Sequence, residues 1–116
     1  MAQLYQLIPL PQGVFSGLSL LERATFGLIY DRLKLSTASH LSSTDGGPFF
    51  DSARADVYCV YNQQDMAAVL GVSIRTVQRA LDTLRDAGLI DYRKTRYQDS
   101  NRYFIPYRIR EQLKKP

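Results

Sequence analysis

The sequence has one cysteine, Cys59, and one histidine, His40, among 116 residues. A lone cysteine can neither close an intrachain disulfide nor build a zinc site. Cys59 is therefore expected as a small buried apolar residue in a strand. His40 lies near Asp45 and Asp51 in a spacing that matches no metal site, and it is expected as a plain loop histidine. No apolar run approaches the roughly 18–20 residues of a membrane span. The opening MAQLYQLIPLPQG has no positive flank before its apolar stretch, so it is not a secretory signal. No glycine-rich phosphate loop is present, and no serine or threonine has a base beside it. Without a catalytic constellation the expectation is no enzyme, no metal or other cofactor, no small-molecule substrate and no membrane association. A cytoplasmic location is the default that remains.

What is present fits one soluble domain. The chain is long enough for one core and too short for two, and its apolar fraction of 45% is that of an ordinary globular protein. Charge is unevenly spread. Residues 1–70 hold four Lys/Arg against six Asp/Glu, and residues 71–116 hold eleven against five. Residues 71–116 thus carry the whole positive excess, which points to a polyanionic partner.

Residues 1–18 read as irregular or strand-like, since Pro9 and Pro11 exclude a helix interior. Ser19 and Glu22 form a capping-box pattern, so a scaffold helix is expected over about 20–35. Leu21, Ala24, Leu28, Arg32 and Leu35 lie close to one line of it, with Ile29 alongside. Residues 36–56, STASHLSSTDGGPFFDSARAD, lose all periodicity and read as a long surface loop. VYCVY at 57–61 is β-branched and aromatic, hence a strand. There are no internal repeats and no low-complexity tract.

Residues 62–87 read as two short helices around a sharp turn. Asn62 is a good N-cap and Asp65 places a carboxylate in the first turn. Gly71 allows the positive φ the turn needs, Val72 fills the gap and Ser73 caps the second helix. Val77, Ala80, Leu81 and Leu84 fall at i, i+3, i+4 and i+7 and form its core stripe. Gly88 ends it, with Leu89 placed for a Schellman contact. Ile90 and Tyr92 open a strand, 96–101 is a polar tip and 102–107 returns, so 89–107 reads as a wing. Residues 109–115 read as a final basic turn of helix. The predicted class is α+β, a single winged helix-turn-helix domain over 1–116 with a small antiparallel sheet.

With Val77 at the centre of the buried face, Arg75, Arg79, Asp82 and Asp86 cluster opposite it and Gln78 sits at the edge. Arg75 and Arg79 are one turn apart and repel unless an anion lies between them. Arginine donates bidentately to guanine, and glutamine pairs with adenine. Ser73 and Thr76 lie near the helix N-terminus, where hydroxyls and free amides suit a phosphate. In the wing, Arg93, Lys94, Arg96 and Arg102 bracket the tip with Tyr97 and Asn101, and would hold phosphates or enter the minor groove. Charged residues that merely guard an edge strand are the plainer reading of the wing. The expected partner is double-stranded DNA. A transcriptional regulator of the same fold, or a protein-interaction winged helix that never touches DNA, remains open. The second alternative has no need of a solvent-facing arginine pair.

Four features recur in one order: a helix containing GLIYDRLKLS at 27–36, a variable polar loop, VYCVY at 57–61, and a helix-turn-helix ending in AGLI at 87–90. Together they resemble the N-terminal domain of replication initiator protein A from plasmids and mobile elements of low-GC Gram-positive bacteria, over roughly residues 5–107. The resemblance implies a winged-helix domain that forms a homodimer and binds repeated sites at a replication origin. It implies that a separate C-terminal domain recruits host replication proteins. It maps base recognition onto Arg75, Thr76, Gln78 and Arg79, and the wing onto 96–102.

Overall fold

A computed structural model describes residues 16–41, 47, 49–94 and 100–114. Residues 1–15 of the expected irregular start at 1–18, residues 42–46 and 48 of the expected loop, residues 96–99 of the expected polar tip at 96–101, and Lys115 lie outside the described residues. The elements run α1 (Leu20–Leu41), β1 (Phe50–Asp51), β2 (Asp56–Val57), β3 (Cys59–Asn62), α2 (Gln63–Leu70), α3 (Ile74–Asp86), β4 (Asp91–Lys94), β5 (Ser100–Phe104) and α4 (Tyr107–Lys114). The architecture is the expected α+β winged helix.

Helix α1 starts where its capping box says it should. The Ser19 N–H donates to Glu22 Oε1 at 2.9 Å, and the Glu22 N–H donates to Ser19 Oγ at 3.1 Å. Its extent and buried face differ from the sequence reading. The helix continues six residues past Leu35, through STASHL, which was expected to be loop. These residues have modest helix propensity, but packing overrides it. Ser36 is buried, and the His40 ring stacks on Phe50 with centroids 4.8 Å apart. His40 is thus a helix residue packed on a hairpin rather than a loop residue. Ala24, Leu28 and Ile29 are buried as expected, but the line Phe26, Leu33 and Ser36 is buried too, whereas Leu35 is 70% exposed and Arg32 is exposed. Arg32 instead lays its guanidinium 3.9 Å over the Tyr61 ring and donates to the Val60 carbonyl.

Residues 49–56 of the expected loop lead into and through a small hairpin. Phe50 pairs with Val57 and Asp51 with Asp56 in a two-residue antiparallel ladder. Asp51 Oδ1 accepts from the Ala53 and Arg54 amides, an Asx-type turn that a Ser/Asp/Ala-rich stretch can build locally. Arg54 then clamps this hairpin to the main sheet, 2.8 Å from Asp91 and 3.8 Å over the Phe104 ring.

The main sheet is antiparallel with order β3-β5-β4, so the returning wing strand is central. The expected strand 57–61 is split: Val57 belongs to the hairpin, and Cys59–Asn62 joins the sheet. Cys59, Tyr103 and Tyr92 form one row across the three strands and face the helices. Cys59 is fully buried, with Sγ 3.7 Å from the Ile29 carbonyl oxygen, as the sequence requires of a lone cysteine. Burial pushes its thiol from 9.0 up to about 12, so it stays protonated and inert near neutrality. Strand β5 stops at Phe104 rather than running to Tyr107, because Pro106 has no N–H for a ladder. Its carbonyl instead accepts from Ile109 and Arg110 and starts α4, which seats Ile109 in the core. Among the described residues no helix is long and apolar enough to cross a membrane.

Candidate nucleic-acid interface

Helix α2 is set by both its caps. Asn62 is at once the last residue of β3 and the N-cap, its Oδ1 accepting from the Gln64 amide at 2.7 Å. Gly71 closes the helix at φ 70°, ψ 33°, a left-handed conformation that glycine adopts without a Cβ clash. The chain then turns through Val72 into Ser73, whose Oγ accepts from the Thr76 amide at 3.2 Å and caps α3. The hydroxyls of Ser73 and Thr76 also bond each other at 2.9 Å, so both are occupied in the cap. At the far end Gly88 takes φ 76° and the Leu89 amide reaches the Leu84 carbonyl, the Schellman pattern read from the sequence.

Helix α3 buries the expected stripe. Val77, Ala80, Leu81 and Leu84 are all at most 3% exposed, and they dock against α1 and α2. Burying such a stripe contributes roughly 1.5–3 kcal/mol for each large side chain, which fixes the rotation of the helix about its axis. Arg75, Gln78 and Arg79 are therefore held in solvent on the opposite side.

What the two arginines among them touch separates them from seven other arginines of the chain. Arg23, Arg32, Arg54, Arg85, Arg102, Arg108 and Arg110 are each engaged by a carboxylate, a carbonyl, an aromatic ring or another partner within the fold. Among the described residues, Arg75 and Arg79 have neither an ion pair nor a hydrogen bond nor a ring beneath them. Two like charges one helical turn apart, with no internal acid to neutralise them, destabilise an isolated helix slightly. An external anion would reverse that.

Two features of α3 were not legible in the sequence. Asp82, read there as sharing the solvent face with the arginines, accepts a 2.8 Å hydrogen bond from the Tyr92 hydroxyl of β4 and a 3.3 Å bond from Arg85. The Arg85 guanidinium sits 4.8 Å from the Tyr92 ring centre. Burial, then the bond to Asp82, raises the Tyr92 pKa, so the hydroxyl keeps its proton and the link stays made. Asp82 thus ties the helix to the wing. Gln78 Nε2 donates to Gln63 Oε1 at 3.1 Å, joining α3 to the first residue of α2. Both links join residues on separate elements, and no local pattern announces them.

The wing residues fall into two groups. Arg93 and Lys94 lie on β4 and Asn101 on β5, in the stem that leads to the tip. Arg96 and Tyr97 lie outside the described residues. Arg102 is not beside the α3 arginines. It shares a row with Val60 and Arg93, alternate to the row that faces the helices, and its guanidinium lies 4.7 Å from the Tyr58 ring centre on the outer face of the sheet. The structure therefore gathers Ser73, Arg75, Thr76, Gln78 and Arg79 on one helix and sets Arg102 apart from them. Among the described residues no group of three or more His, Cys, Asp or Glu side chains could hold a metal ion.

This arrangement has counterparts among known proteins. The chain is similar in structure to an N-terminal domain of a DNA-binding protein, at 17% identity over 94% of this chain and 88% of that one, with a TM-score of 0.58. It is similar to a structure of an MDR initiator, at 18% identity over 85% and 74% of the two chains, with a TM-score of 0.57. A structure of a Rep–DNA complex matches at 17% identity over 94% and 89%, with a TM-score of 0.61. At such identities the likeness is one of fold, the fold expected of an initiator's winged-helix domain. No match is found among curated proteins. The family description of Crp-like helix-turn-helix domains fits residues 37–102, more than half of the chain and the part that carries α2, α3 and the wing stem. The chain belongs to the family of Crp-like helix-turn-helix domains.

Proposed function

We propose that this protein binds double-stranded DNA in a sequence-specific manner, with α3 in the major groove, as the origin-binding domain of a replication initiator. The observation that carries the reading is the pair Arg75 and Arg79, which is solvent-facing, one turn apart and without partners, whereas Arg23, Arg32, Arg54, Arg85, Arg102, Arg108 and Arg110 are all engaged. A helix fixed by its apolar stripe and presenting bidentate donors is suited to reading base edges. A module built only to bind proteins has no use for such a pair. The initiator role is supported by the likeness in fold to an MDR initiator and to a Rep–DNA complex, and by the family resemblance carried by GLIYDRLKLS and VYCVY. On this reading the protein acts in the cytoplasm as a homodimer on repeated origin sites. It has no catalytic step and needs no cofactor.

Selection of bound sequences from a random duplex library, followed by footprinting on the recovered sites, tests the reading. Recovery of a motif in direct repeats, with affinity falling steeply between low and moderate salt, supports it. A single unrepeated operator would favour a transcriptional regulator. Binding that is absent, or indifferent to salt, would remove the DNA reading altogether.

A further inference from the structure

Gln78 is exposed on α3, yet its amide does not hang free. One of the two Nε2 protons is given to Gln63 Oε1 at 3.1 Å. A glutamine amide has two N–H donors and one carbonyl acceptor. With one donor committed, the outward edge of Gln78 presents one remaining N–H and one C=O. That pair is complementary to the N7 acceptor and N6 donor of adenine. Guanine offers two acceptors, N7 and O6, and would need both protons of the amide. Gln63 is well placed to enforce the choice. It is the first residue of α2, whose start is fixed by the Asn62 cap, and α2, with Met66 and Ala67 buried, packs against α3.

We infer that Gln63 is a positioning residue that sets the orientation of the Gln78 amide, so that Gln78 reads adenine and rejects guanine at one position of the target. The inference rests on the proposed insertion of α3 into the major groove. With Gln63 as the acceptor, reading guanine there through both amide protons would require breaking the Gln63–Gln78 bond. A net hydrogen bond of typical strength makes that a discrimination of about fivefold, added to whatever the base contact supplies.

The test uses the full chain and duplexes selected from a random library, compared with duplexes changed at single base pairs. Gln78→Ala should relax base preference at one position. Gln63→Ala should lower the adenine-to-guanine ratio at that same position by about fivefold, while preferences that respond to Arg75→Ala and Arg79→Ala persist. Gln63→Glu keeps an acceptor for Nε2 and should restore the ratio. A purely structural role for Gln63 would relax all positions together and would not be rescued by glutamate, and either result overturns the inference. An adenine preference lost in Gln78→Ala but intact in Gln63→Ala overturns it too. Failure of the unaltered protein to select any motif would instead sink the underlying DNA reading.

Discussion

Replacing Arg79 by alanine should move binding and stability in opposite directions, because the side chain is held by nothing inside the protein. Removing it breaks no internal bond. The Thr83 hydroxyl bonds to the Arg79 carbonyl, which alanine keeps. Alanine is the better helix former by a small margin, and loss of the i,i+4 repulsion with Arg75 is worth about 0.2–0.5 kcal/mol. The folded state should therefore gain a few tenths of a kcal/mol, a rise in melting temperature of about 1–3 °C for a chain of this size. Binding should lose about 1–3 kcal/mol on the selected duplex if Arg79 pairs with a base, which is roughly 5–150-fold in Kd. Loss on a random-sequence duplex should be smaller. Fluorescence anisotropy titrations on both duplexes at one fixed salt concentration, with thermal unfolding of the same preparation, give every quantity needed. Equal losses on the two duplexes would refute base reading by Arg79. A drop of several degrees in melting temperature would show that the side chain supports the fold, contrary to its lack of partners.

Two further perturbations probe what holds the helix in place. Tyr92→Phe removes the hydroxyl bonded to Asp82 and should cost about 0.5–1.5 kcal/mol in urea unfolding; an unchanged midpoint would mean that the helix–wing tie contributes nothing. Cys59 has its folded pKa raised from 9.0 to about 12 and that of Tyr92 is raised as well, both chiefly by burial, so the unfolded chain releases these protons at lower pH than the folded one. Their contribution to stability is therefore complete below about pH 9 and is lost as pH rises toward 12. Cys59→Ala should flatten the fall of the denaturation midpoint across that window, and the native thiol should resist thiol reagents until the protein unfolds.

The parts of the fold that could be read in the sequence are those governed by short-range rules. The Ser19/Glu22 box, the Asn62 and Ser73 caps, the Gly71 turn and the Val77–Leu84 stripe all depend on residues within one or two turns of each other. Each is where the spacing put it. The segment after Leu35 was misread because Ser, Thr and His favour loops when nothing packs on them, and here a hairpin thirty residues from the start of the helix does. The face of α1 was misread in part for a related reason: with four elements packed around it, the helix is buried over more than one stripe, so Ala24, Leu28 and Ile29 are inside as read while Phe26 and Leu33 join them and Leu35 is left outside. Within the interface, the arginine pair was legible because it lies on one helix. The bonds made by Asp82 and Gln63 were not, because Tyr92 and Gln78 reach them from other elements. Arg102 was grouped with the tip by its place in the chain, whereas strand alternation turns it to the far side of the sheet.

Asn62 closes a strand and opens a helix in the same residue, and its strand partner is Ser100 on the central wing strand. No slack separates the wing stem from the helix-turn-helix. Inserting a residue between Asn62 and Gln63 would turn α2 by about 100° relative to the sheet and advance it by about 1.5 Å, dragging α3 with it. The domain is in this sense a fixed-gauge tool: on the proposed DNA-binding reading its span across the duplex would be set by the junction, and a change of target would come by exchanging side chains on α3 rather than by lengthening the frame that carries it.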